Sequence, residues 1–557
     1  MKVLLGLIPF LLFLQGLAES ARPETLVRRL YIDLFERLPS PVELIKGANS
    51  VQADNYDTLV DAMLKDEEFI STLAKKVALH YSPDLKEKRN GDGEIDAKFF
   101  RRFIRMQNLI KTKYLAESDF RLFIRDLTSG KGLSSATPAL YFYDREESLE
   151  DLTGRYADRV LGVPLKCAQC HNHREYKDLL KLDFWGLATF FKNTRIIELD
   201  THDDVKKLPD NNKFLSKTYR SLMDEGDYKY FKYWYDSEKK GESILQGQFM
   251  EIDTQAGLRE ITPDTLLKVN QLFLLEEKYS LDYLKIPNPD DDKEFYRPLL
   301  IGEIELPSVS VKPREFLAGW VTSENNPFLK KSVTNWVANW IFGRGFKMPL
   351  TDIYGSGLND ELLKEYSEFL KDSNFDLKKL IKKMLSSDFY KAASPVKTDM
   401  AKVNQFKERA LRLVPATAIS RTLALEAELT SEENTEVSVF GRTVLFNELL
   451  TNYSELISYF PQNEESGQGA YETNVSQSMY LMFNQRIRAQ ISRIAAKESG
   501  DESFLVKIWV LKFFGRTAKK EEVDFLVNYI KSKPEARQES LLNVLKVILN
   551  SPELRYY

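Results

Sequence analysis

The sequence predicts a mainly α protein, built of multi-helical modules and interrupted by one polar segment able to hold some β structure. Three observations carry this. Leu, Ile and aromatic residues recur at helical spacing over most of the chain, strict two-residue alternation is rare, and one helical pattern occurs three times. The chain has 557 residues, 43% hydrophobic and 29% charged. That suggests about three to four domains by length and enough apolar material for packed cores. A net charge of -4 and a pI of about 5.9 give no basic footprint for nucleic acid. Groups such as Lys378-Lys379 and Lys382-Lys383 read as solvated helix faces.

Residues 1–20, MKVLLGLIPFLLFLQGLAES, read as a secretory signal peptide. Lys2 supplies the early positive charge, Val3 to Leu14 form the apolar run, and Gly16, Ala18 and Ser20 offer small residues for cleavage. The run is shorter than the roughly 20 residues of a membrane span, so the mature chain is expected to have no transmembrane anchor. The expected location is exported, periplasmic or at the cell surface.

Residues 21–194 form an N-terminal helical domain. In it VRRLYIDLFERLPSPVELIKG leads to YDTLVDAMLKDEEF. Pro39-Ser40-Pro41-x-Glu43 predicts a helix start, with Ser40 as N-cap and Pro41 in the first turn. Residues 195–310 are a polar intervening segment. Its aromatic cluster Tyr228 to Tyr235 reads as packing, with a stacking surface for sugar or peptide as the alternative. IGEIELPSVSVK, Ile301 to Lys312, is the best candidate for extended structure.

Residues 311–557 form a C-terminal helical domain. FDLKKLIKKMLSSDFY, Phe375 to Tyr390, places Leu377, Leu380, Ile381, Met384 and Leu385 on one face and lysines on the other. The N-terminal pattern returns as VTNWVANWIFGRGFK followed by that stretch. It returns again as VKIWVLKFFGRTAKKEEVDFLVNYI followed by LLNVLKVILNSPEL. Each copy has an aromatic-rich helix ending near an arginine (Arg37, Arg344, Arg516), then a turn and two further helices.

The sequence offers little for hydrolysis or nucleotide chemistry. There is no phosphate-binding loop and no dinucleotide fingerprint. RNGDGEID would need acids at Lys88 and Phe99 to bind calcium. Four histidines leave little for a catalytic triad, no catalytic residue is assigned, and whether the protein is an enzyme stays open.

The chemistry concentrates in LKCAQCHNHREY, Leu165 to Tyr176, which holds both cysteines and two of the four histidines. A Cys167–Cys170 bridge would close too small a loop to act as a staple. C-x-x-C-H is the attachment motif of haem c. Two thiols one turn apart add to the two vinyl groups of a haem, and the adjacent imidazole ligates the iron. Cys167, Cys170 and His171 are therefore the expected haem site, with His171 as the metal ligand. The neighbouring LDFWGLATFF, Leu182 to Phe191, is apolar enough to cover a porphyrin. Zinc is the alternative, with Cys167, Cys170 and His173 as ligands and His80, His202 or a carboxylate as the fourth. A redox-active or inert thiol pair is the third reading.

These motifs resemble, in order, a family of exported bacterial proteins abundant in planctomycetes, which pair two domains of unknown function with a CxxCH cytochrome c-like motif. VLGVPLKCAQCHNH resembles the family's GCxxCHDH segment, and VRRLYIDLFERLPSPVEL its opening motif. REFLAGWVTSENNPF, IFGRGF, SMYLMFNQRI, FGRTAKKEEVDFL and ILNSPEL follow in the family's order. Where the family carries an Arg and a His before GRG, this chain has Trp336 and Trp340. The intervening segment looks shortened, and the separate cytochrome domain found in many relatives is absent. The resemblance implies export and a CxxCH haem site, but no catalytic reaction. It also implies an exported sulfatase-like protein as a conceivable partner. Two function classes follow: an exported c-type haem protein that transfers or senses electrons, with an unknown redox partner, or a helical binding or scaffold protein with a zinc or thiol site, acting with an exported partner or glycan.

Overall fold

A computed structural model of the protein describes residues 21–82, 103, 106–130, 132–133, 137–143, 148–192, 194–198, 272–276, 286–288, 291–301, 304–305, 312–354, 359–395, 399–427, 436–439, 442–445, 475–497 and 500–557. The expected signal peptide, the aromatic cluster at 228–235, the RNGDGEID turn and His202 lie outside the described residues. The described chain is mainly α. No described helix is long and apolar enough to cross a membrane.

The three-fold pattern is a real structural repeat. Its first helix is Pro23–Phe35 in the first copy, Leu329–Phe342 in the second and Glu502–Phe514 in the third. Each ends on a left-handed residue: Glu36 (φ 49°), Gly343 (φ 79°) and Gly515 (φ 70°). An arginine from elsewhere in the chain then holds the carbonyls that the helix end leaves unpaired, where the helix dipole favours a cation. Arg421 donates to the Phe35 carbonyl. Arg412 donates to Ile341 (3.1 Å) and Trp340 (3.2 Å), and Arg28 to Phe513 (3.4 Å).

The second helices are Pro41–Gln52, Asp360–Asp372 and Lys520–Lys531. Ser40 caps the first as expected. Its side chain accepts from the Glu43 N–H, while the Glu43 carboxylate accepts from the Ser40 N–H. In the last copy Glu522 accepts from the Lys519 N–H (2.9 Å) in the same way. Asp66, Ser387 and Ser551 then cap the helices that close the three modules.

In the two end copies a bidentate arginine ties these elements together. Arg37 bridges Glu43 (2.8 Å from both of its terminal nitrogens) and Glu68 (2.6 and 3.0 Å). Arg516 bridges Glu522 (2.6 and 2.8 Å) and Glu553 (2.5 and 2.8 Å). The middle copy lacks this clamp. Phe389 follows Ser387 at the spacing where Glu68 follows Asp66, and Arg344 instead donates to Asn404 with its guanidinium over the Phe406 ring (5.9 Å).

The expected helix over 375–390 is two helices, Leu377–Leu385 and Asp388–Lys391, because the Ser387 hydroxyl accepts from the Tyr390 N–H and starts a new turn. Its five apolar positions are buried, as the periodicity requires.

Two cores result, and they do not follow the order of the chain. The larger core joins residues between Ala21 and Ile301 to residues from Leu317 to Phe406. The smaller joins residues from Val414 to Tyr557 and takes Ile32 and Leu38 from the first module. The Pro23–Phe35 helix is thus buried on every side from Leu26 onward, its charged Arg28, Arg29 and Asp33 included. The β structure is small. Strands 132–133, 272–276 and 194–198 form one antiparallel sheet in that order, and 286–288 with 291–296 and 299–300 with 304–305 form two-stranded ribbons.

Candidate functional site: the CAQCH turn

The turn is presented by a short 3₁₀ helix, Leu165–Gln169. Gly162 (φ 69°) breaks the preceding helical segment, and its left-handed backbone suits glycine. Leu165 and Ala168 are fully buried and pin the turn inward. Cys167 and Cys170 therefore face outward, both exposed and both as free thiols. The Trp185 indole donates to the Gln169 carbonyl (3.0 Å) and fixes the far end of the turn.

The two histidines beside the thiols are held in opposite ways. His171 is exposed, and its Nδ1 lies 2.8 Å from the Asn172 carbonyl. A carbonyl only accepts, so Nδ1 carries the proton and the lone pair of the neutral ring lies on Nε2. This is how a metal-ligating histidine is oriented. Asn172 in turn accepts from the Lys181 N–H (2.9 Å), which ties it to the start of the Lys181–Thr189 helix.

His173 is the reverse. Its Nδ1 accepts from the N–H groups of Glu175 (3.2 Å) and Tyr176 (3.0 Å). Its proton is therefore on Nε2. Binding a metal through Nε2 would move the proton to Nδ1, against two amide hydrogens. The ring also stacks on Tyr176 at 4.6 Å. His173 is a structural cap, which works against it as a zinc ligand.

Sequence reasoning missed the brace across the turn. The Tyr176 hydroxyl donates to Asp352 (2.7 Å), and the Ile353 N–H donates to the Gly162 carbonyl (2.8 Å). Burial, together with the Asp352 carboxylate, pushes the Tyr176 phenol above its usual range. One loop from the C-terminal half thus grips the turn from both sides. The only sequence hint is local: HREY places a histidine two and three residues ahead of N–H groups, the spacing of a side-chain turn.

The remaining candidates do not join the site. His80 is buried against Trp336 (4.8 Å) and Tyr81 (4.7 Å), with Nε2 3.3 Å from the Arg159 carbonyl. Burial pushes its pKa down to about 3. Trp336 and Trp340 are core residues. Trp340 stacks on Phe69 (6.4 Å) and donates to the Asp33 carbonyl (3.0 Å). Among the described residues, no three His, Cys, Asp or Glu side chains gather closely enough to hold a metal ion. The aromatic helix expected to cover a porphyrin points into the larger core instead: Phe184, Trp185, Leu187, Phe190 and Phe191 are buried there, and Leu182 is its one exposed apolar residue. The donor set of the turn fits covalent haem and one axial imidazole. His80 and His173, the other described histidines, are both engaged elsewhere.

The fold and site define a mainly helical protein with an exposed CxxCH turn braced between its two halves. Residues 15–196 match the family model described as PSCyt2, a protein of unknown function (DUF1549), and residues 313–530 match PSD1, a protein of unknown function (DUF1553). The chain thus carries this pair of domains. No curated protein and no solved structure matches it.

Proposed function

We propose that the protein is an exported c-type haem protein that transfers or senses electrons. In this reading Cys167 and Cys170 hold the haem by thioether bonds and His171 ligates the iron. The single observation that carries it is the His171 imidazole, whose Nδ1 is engaged by the Asn172 carbonyl so that Nε2 is left for a metal. Bound haem supplies one-electron chemistry, its potential set by the axial ligands and by burial. The chain's own residues do the positioning. Asn172 sets the imidazole tautomer, Trp185 fixes Gln169, and Tyr176 with Asp352 holds the loop that follows. Export rests on residues 1–20. The partner is an unidentified redox protein or, from the resemblance, an exported sulfatase-like protein.

A haem stain on a denaturing gel with a pyridine haemochrome spectrum tests this reading. The expected result is a stained band for the wild type that is lost in the Cys167→Ala/Cys170→Ala variant. Absence of haem, in cells that mature another c-type cytochrome, overturns it. The openness of the turn favours one second reading, a binding or scaffold protein with a bare dithiol or a zinc-loaded thiol pair. Thiol alkylation and zinc analysis of the same sample distinguish these two.

A further inference from the structure

Where the two cores meet, the chain buries more positive charge than it balances. Arg29, Arg409 and Arg412 gather around one carboxylate, Asp33. That carboxylate accepts three hydrogen bonds, from Arg412 (3.0 Å), the Tyr390 hydroxyl (2.9 Å) and the Tyr557 hydroxyl (2.6 Å), and none from Arg29 or Arg409. Arg412 spends its other contacts on the helix end at Trp340 and Ile341. Arg29 donates to the carbonyls of Tyr390 and Ala392 and keeps a buried Nε without a partner.

Arg409 differs from both. It is 1% exposed, and none of its three guanidinium nitrogens has a hydrogen-bond partner. Its contact is the Tyr390 ring, 5.0 Å from the guanidinium carbon, and Arg29 lies against the same ring at 5.7 Å. The Ser394 hydroxyl, two residues beyond the carbonyl that Arg29 holds, is also buried and unpartnered. Burial lowers the Arg409 pKa to about 9, so the group stays charged at neutral pH. A buried charge is stable only when paired or hydrogen-bonded. A cation–π contact offsets part of that cost, but it leaves five N–H donors unused.

We propose that Arg409 is the seat of a bound small oxyanion, phosphate or sulfate in class, held by its guanidinium fork with the charge of Arg29 behind it. A planar fork of donors suits such an anion better than a point charge would. The seat is closed to solvent, so the anion enters by local opening and leaves slowly. It lies where the first module, the Tyr390 segment and the stretch leading into the C-terminal core meet, and an anion there offsets the charge of Arg29 and Arg409. The proposal is independent of the haem reading.

The test uses the full-length wild-type protein and Arg409→Met, each refolded in anion-poor buffer and titrated with sodium phosphate or sodium sulfate at constant ionic strength. Thermal unfolding reports binding, and ion chromatography of the denatured, desalted protein reports any anion carried through. The expected result is a saturable rise in Tm for the wild type and about one equivalent of anion released. For Arg409→Met the apparent affinity should fall by about tenfold or more. A wild type with no saturable shift and no released anion overturns the proposal, as does an Arg409→Met variant that responds as the wild type does. If Arg409→Met does not fold, the wild-type titration and the anion released from it decide alone.

Discussion

The first and last modules carry the same clamp in different surroundings. Arg37 and Arg516 each hold two glutamates with nearly the same bond pattern, down to a terminal nitrogen donated to the carbonyl of the following residue. Yet the Arg37 side chain is 11% exposed and Glu68 18%, while the Arg516 side chain is 20% exposed and Glu553 48%. Glu68 is also shared with Arg421 (2.7 Å), so the first clamp joins the first module to the smaller core. The last clamp joins neighbours that already pack together. Like geometry therefore does unlike work: one clamp links two cores, and the other trims a surface.

The left-handed residue ahead of each clamp shows the same contrast. Gly515 is required, because a Cβ there would come within 2.7 Å of the Arg28 side chain. Glu36 holds the same backbone conformation without being glycine, at a cost of about 1 kcal/mol or more. Its carboxylate is buried between Lys75 and Lys76, and those lysines hold it well below the usual carboxylate range despite the burial. Ion pairing here offsets backbone strain.

The comparison breaks most readily at Arg37. Arg37→Ala leaves Glu68 and Glu43 without their main partner in a half-buried setting and should cost about 3 kcal/mol or more in chemical denaturation. A loss below 1 kcal/mol would show that the two clamps are equivalent after all. Acid sharpens it further. The helix that Glu68 opens runs on to His80, whose folded pKa lies near 3. The unfolded chain takes up this proton near pH 6.5 and the folded chain does not, so stability is full above 6.5 and falls as pH drops toward 3. The slope is up to about 1.4 kcal/mol per pH unit. His80→Phe should flatten the Tm profile between pH 6.5 and 5; an unchanged slope would assign the acid sensitivity to other groups. The smallest effect belongs to Arg516→Ala, expected at about 1 kcal/mol because Glu553, at 48% exposure, keeps more of its hydration than Glu68 does. High salt should shrink it further.

What was legible in the sequence was local. Helical periodicity located the apolar face from Leu377 to Leu385, and Ser40 with Glu43 announced a cap, because both signals are spelled within a few residues. The repeat was readable from its arginines, although the glutamates they hold were not. Glu68 lies 31 residues beyond Arg37, and no spacing rule connects them. The CxxCH motif was plain, and so was the candidacy of His171. The opposite tautomers of His171 and His173 were not, since both depend on where a ring nitrogen meets a backbone group. The burial of LDFWGLATFF escaped for a similar reason: a predominantly apolar helix fits a cofactor pocket and a protein core equally well, and only tertiary packing decides.

The position of Asp33 has a consequence for how the chain reaches its final form. Its carboxylate collects contacts from residues 357, 379 and 524 positions further along. The first helix precedes all of these partners in the chain, so the set of contacts to its buried carboxylate closes only when Tyr390, Arg412 and Tyr557 have all come to it. Contacts so distant in sequence slow folding, because a long loop must close before it is rewarded. Late-closing contacts of this kind favour partly folded intermediates in large chains. Loss of the Tyr557 hydroxyl would remove one of the three donors that hold Asp33, so a residue 524 positions away bears directly on the first helix.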